Sequence, residues 1–71
     1  MTEPHPLRRY FTYEHLPEGP LRETSRLFSS LAVQLDRELP NGAEKTVSFR
    51  KLLEAKDAAV RAALDIPKET P

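Results

Sequence analysis

The chain has no cysteine and no tryptophan, and only two glycines and one methionine among 71 residues. Without cysteine there is no disulfide staple, no thiolate nucleophile and no sulfur ligand for a metal. Two glycines cannot supply a Gly-rich loop of the kind that cradles phosphates. No apolar run approaches the roughly 20 residues needed to span a bilayer, and the opening MTEPHPLRR lacks the apolar stretch of a secretory signal. Net charge is absent too, with eleven basic and eleven acidic residues. Affinity for duplex nucleic acid comes mainly from neutralising many phosphates, so a balanced chain is a poor generic binder of it. A local basic pocket for a small anion is compatible with that balance.

Catalytic chemistry has little to stand on. No Ser-centred elbow is present, and His5 and His15 share no metal-ligand spacing with each other or with nearby carboxylates. The carboxylates fall on helix surfaces, where solvent or salt bridges occupy them. His15 beside Glu14 reads as plain surface. The expectation is a non-enzyme with neither cofactor nor metal.

What the chain does have is proline, at seven positions, and a strong helical period. Pro4, Pro6, Pro17 and Pro20 leave room for no helix longer than one or two turns in the first twenty residues, with YEHL as a candidate single turn. Residues 1–19 are therefore an arm. Helix one is predicted from about Pro20 to Leu39, with Leu21, Phe28, Leu31, Ala32, Leu35 and Leu39 in one arc and Thr24 and Ser25 filling its start. Arg26, Ser30, Val33 and Arg37 fall on the opposite face. Pro40-Asn41-Gly42 stops that helix and makes the next one an antiparallel neighbour. Helix two is predicted from Ala43 or Glu44 to Leu64, with a stripe of Phe49, Leu52, Leu53, Val60 and Ala63. Arg50 with Glu54 and Asp57 with Arg61 have i,i+4 pair spacing. Residues 65–71 read as a frayed tail. The fold class is all-α: an antiparallel two-helix hairpin, residues 20–64, behind an aromatic arm. A chain this short buries only roughly 60% of its unfolded surface, so with no covalent staple it is expected to self-associate.

Two constellations bear on function. RRYFTYEHLPEGP sets three of the five aromatics, Tyr10, Phe11 and Tyr13, beside Arg8 and Arg9. Rings next to cations suit a ligand of planar bases and phosphates, although an aromatic flap over a small core has the same composition. GAEKTVSFRK, opening helix two, places Lys45, Thr46, Arg50 and Lys51 near a helix N-terminus, which attracts anions. Lys45 and Lys56 also intrude on the apolar stripe of helix two. For Lys56 the alternatives are to reach water, to meet a carboxylate of helix one, or to border an anion-filled pocket, while Lys45 is either an anion donor at the helix start or merely exposed.

Through short phage and prophage sequences reading YF-x-YEHLP and EKT-x-x-x-RKLLEAKD, the stretch from Arg9 to Leu64 resembles a known family. These are the phage-encoded anti-CBASS and anti-Thoeris sponges that carry a helical hairpin domain. The resemblance implies interlocking hairpins, commonly hexamers, that hold cyclic di- or oligonucleotides between subunits without cleaving them. Immune signals are thereby withheld from host effectors in the cytoplasm of the infected bacterium. It also implies a stacking tyrosine ahead of the first long helix and a phosphate-binding lysine within it. The matching positions are Phe11, flanked by Arg9, Tyr10 and Tyr13, and Arg26. Phe loses the hydroxyl and Arg changes the donor geometry, so ligand choice is what these departures affect. A further basic group on the second helix of some relatives, serving cyclic trinucleotides, corresponds best to Arg50, with Lys45 and Thr46 beside it. The competing expectation is a small oligomerisation or protein-interaction module with no nucleotide ligand.

Overall fold

The computed structural model of the protein describes residues 3–65. The proposed tail therefore lies outside the described residues except for Asp65. Two helices pack against each other, α1 over Pro20–Glu38 and α2 over Ala43–Leu64, after a short 3-10 helix at Pro6–Tyr10. Their ends follow the punctuation in the sequence. Gly19, at φ 141°, takes a backbone conformation that favours glycine and turns the chain into α1, and Pro20 fills the first helical position. At the other end Leu39 is extended, and Pro40 carries the chain away from the helix. Glu44 sits in the first turn of α2 and Arg61 in its last, matching the helix dipole. Tyr13–Leu16 closes as a single turn through the Leu16 amide and the Tyr13 carbonyl, 3.0 Å.

The arm is a third layer. Phe11 is 2% exposed and Phe49 fully buried, and these two with Ala32 form the centre of the core. The His5 ring stacks on Phe49 with centroids 4.7 Å apart, and Phe11 meets the same ring edge-on at 6.0 Å. Phe49 is thus enclosed by the arm on two sides as well as by its own hairpin. Leu7, Phe28, Leu35, Leu52 and Leu53 pack around this centre.

That third layer shifts the buried arc of α1. Leu31, assigned by periodicity to the apolar stripe, is 43% exposed, while Val33, assigned to the outer face, is half-buried. The physical reason is that the arm runs beside the Val33 flank and makes it one wall of a groove. Ser25 and Ala32 are buried as the stripe requires. Neither expected i,i+4 pair of α2 is formed: Glu54 is met by Lys51 at 3.5 Å in place of Arg50, and Asp57 and Arg61 make no ion pair with each other, while on α1 Arg26 reaches Glu23 at 3.3 Å. Neither helix is long and apolar enough to cross a membrane.

Candidate functional site

The arm lies beside α1 and leaves a groove of about 950 Å³ between them. Arg9, Phe11 and Tyr13 contribute from the arm, and Ser29, Ser30 and Val33 from α1. At the start of α1 a second hollow of about 520 Å³ is lined by Tyr13, Glu18, Gly19, Arg22, Glu23 and Arg26. Tyr13 lines both. The groove and the hollow are neighbours on the arm side of α1, a strip in two halves with Tyr13 between them.

The side chains along it carry planar surfaces and charge. The Arg22 guanidinium lies 5.7 Å from the centroid of the Tyr13 ring, within cation–π range. Arg9 stacks on Tyr10 at 4.9 Å and donates to its hydroxyl at 2.9 Å. Arg26 is more than half exposed, and among the described residues its only ion pair is with the similarly exposed Glu23. Such a surface pair is worth about 0–1 kcal/mol, so an incoming anion displaces it at small cost. The Glu14 carboxyl is lowered by the backbone N–H groups of Glu14 and Tyr13, with smaller help from Arg22 and His15.

The other residues anticipated from sequence are placed differently. Phe11 turns into the core, so the open ring beside the basic hollow is that of Tyr13. Lys45 is spent internally. Its side chain is 3% exposed and pairs with Asp36 at 2.7 Å. It also donates to the carbonyls of Asp36 (3.0 Å) and Leu39 (3.2 Å) and to Asn41 Oδ1 (3.1 Å). Lys45 is thus neither the anion donor nor the exposed lysine expected at the start of helix two, because the Asp36 carboxylate of α1 takes its charge. Lys56 takes another route, donating to the Tyr10 carbonyl with its ammonium 5.7 Å from the Phe11 ring centroid. Thr46 lines a separate hollow with His5, and Arg50 is exposed on α2 and lines neither half of the strip. The structure thus brings Arg9, Tyr13 and Arg26 to one strip, turns Phe11 into the core beneath it, and leaves Tyr10, Lys45, Thr46 and Arg50 off it.

Arg22 was not anticipated. The available signal was its spacing: it stands four residues before Arg26 on α1 and so shares a helix face with it.

One pair has the outline of a nucleophile and its base. His5 Nε2 lies 3.1 Å from Thr46 Oγ1. Nδ1 of the same ring, however, accepts the Leu7 amide at 3.1 Å. The ring proton therefore sits on Nε2 and is donated to Thr46, the wrong tautomer for removing a hydroxyl proton. Among the described residues no group of three or more His, Cys, Asp or Glu side chains is placed to hold a metal ion. Compared with known protein families, curated proteins and solved structures, the chain matches none.

Proposed function

We propose that this chain is a non-enzymatic sponge that sequesters cyclic di- or oligonucleotide immune signals, denying them to anti-phage effectors of the infected cell. The observation that carries the reading is the strip itself. A half-buried tyrosine ring bearing an arginine stands between a groove holding Arg9 and a hollow holding Arg26. A base can stack at the ring while phosphates meet guanidinium forks on either side. The ligand lies at a subunit boundary in a homo-oligomer, hexameric by the family resemblance, and the strip supplies one protomer's share of the pocket. Sequestration needs no chemistry from the protein, in keeping with the tautomer of His5.

A thermal-shift panel of cyclic dinucleotides, cyclic trinucleotides and glycosylated ADP-ribose, followed by calorimetry, tests this. Arg26→Ala removes a charged donor worth about 1.5–3 kcal/mol and lowers affinity by roughly one to two orders of magnitude. Arg26→Lys keeps much of the binding. Arg37→Ala, at the far end of α1, changes little. Bound ligand is recovered intact by chromatography after denaturation; linear product would mark an enzyme. A parent protein indifferent to every member of the panel returns the chain to the alternative, an interaction module without a nucleotide, which the exposed Leu27 and Leu64 also favour.

A further inference from the structure

The groove has two walls from two separate parts of the chain, and one carboxylate joins those parts. Asp36 of α1 is 9% exposed and accepts from three donors. Lys45 Nζ approaches from α2 at 2.7 Å. Arg8 Nη1 and the His5 backbone N–H approach from the arm, each at 3.0 Å. The other ion pairs, Glu23 with Arg26 and Glu54 with Lys51, stay within single helices. Among the described residues the Asp36 group makes the only ion pair between the arm and the hairpin. Lys45 is needed by the hairpin regardless of the arm, since it also satisfies the end of α1.

This arrangement differs from an arm that merely rests on apolar surface. Phe11 and His5 pack on Phe49, but packing of two rings on a third leaves the arm free to slide or tilt along α1. A buried carboxylate with three directional partners does not, because each donor must keep its geometry or leave a desolvated charge behind. The 3-10 helix that begins at Pro6 carries that fixed point forward to Arg9 and Tyr10, and Lys56 holds the far end at the Tyr10 carbonyl. Arg9 and Tyr13 are therefore held opposite Ser29 and Ser30 before any ligand arrives.

We propose that Asp36 is the positioning residue of the groove: through Arg8 and His5 it fixes the arm against α1, so that the binding strip is preformed rather than assembled on binding. In its ligand-binding consequence this rests on the nucleotide reading; in its structural part it does not. Preformed walls spare a ligand the cost of ordering them.

Amide hydrogen exchange on the full chain reads the arm directly. The Arg8 and Phe11 amides bond to the His5 and Arg8 carbonyls, each at 2.9 Å, and serve as reporters. Asp36→Asn should speed their exchange by about tenfold or more, with the amides of Leu52 and Leu53 in α2 unchanged relative to them. Arg8→Gln removes the arm's side chain from the group and leaves the Asp36–Lys45 pair in place, so it gives the same arm result even if Asp36→Asn fails to fold. Asp36→Glu restores part of the protection. In a parent that binds cyclic di-adenylate, Asp36→Asn, which takes no lining side chain from the groove, should lower calorimetric affinity by about tenfold with Arg26 untouched. Arm amides as protected in Arg8→Gln as in the parent overturn the proposal, and so does a loosened arm with unchanged affinity. A parent that binds no nucleotide sinks the functional reading alone, and the exchange data then decide the positioning role.

Discussion

Phe11 and Tyr13 stand two residues apart and do opposite work. An extended backbone would put both rings on one face, but Phe11 sits at φ −110°, ψ 31° where the 3-10 helix ends, and one ring goes to the core while the other lines the strip. Phe11→Ala should therefore cost about 3–5 kcal/mol of stability, the usual range for emptying a buried aromatic site, and show as a large fall in urea midpoint. Tyr13→Ala should leave that midpoint nearly unchanged and weaken nucleotide binding by about 1–3 kcal/mol, the worth of one stacked base. An equal loss of stability in both variants would remove the distinction. Asp36 supports a prediction in pH. Burial alone would raise its carboxyl, but hydrogen bonds from Lys45, the His5 amide and Arg8 outweigh burial and lower it to about 2. A carboxyl lowered in the folded state stabilises above its unfolded value near 3.8 and loses that contribution as pH falls through the folded value. The arm reporters should show a step of lost protection between about pH 4 and 2. In Asp36→Asn that acid step should vanish from the arm. Were it to persist unchanged, another carboxylate would be responsible.

The two long helices were legible because their determinants are local. Pro20 and Pro40-Asn41-Gly42 mark the ends of α1 to within a residue, and the 3.6-residue period places Phe49, Leu52 and Leu53 on the inner face of α2. The arm was not legible, because what fixes it is remote in sequence. His5 meets Asp36 across 31 positions and Thr46 across 41, and no periodicity reports such a pairing. Lys45 offered the one hint. A lysine in an apolar stripe needs an acid, and Asp36 is the acidic residue on the inner side of α1 near the turn. The same remoteness explains why Phe11 drew a ligand-facing role from its neighbours. Its partner Phe49 lies on the second helix, so a segment rich in rings and arginines looks exposed until the fold closes. At the scale of elements, the hairpin should need the arm. A chain lacking residues 1–11 loses the His5 and Phe11 cover of Phe49 and both arm donors to Asp36, and should melt broadly and without a cooperative step in circular dichroism. Cooperative unfolding at the parent temperature would make the arm an ornament on a self-sufficient hairpin.

Across the whole molecule the apolar surface is poorly hidden. Among the described residues the buried hydrophobics are Phe11, Ala32, Phe49 and Ala63, while Leu27 is 70% exposed, Leu64 66% and Leu31 43%. Leu27 and Leu31 are four apart on α1 and so form one outward ridge. On α2 the exposed Val47, Ala55, Ala58 and Ala62 offer small side chains that let another helix approach closely. Chains of this size rarely hold together on so small a core, and burying one leucine in an interface contributes about 1.5–3 kcal/mol. The expected state is a homo-oligomer at micromolar concentration, hexamer first by the family resemblance and dimer otherwise. Light scattering coupled to size exclusion measures it. Leu27→Glu should shift the mass toward monomer without disturbing the arm reporters, because that side chain makes no part of the core. If Tyr13 and Arg26 form only one protomer's share of the pocket, the same variant should weaken nucleotide binding as it dissociates. Dilution of the parent should weaken binding in parallel. Full affinity in a monomeric Leu27→Glu protein would mean that the strip along the arm and α1 is a complete site, and that assembly serves stability alone.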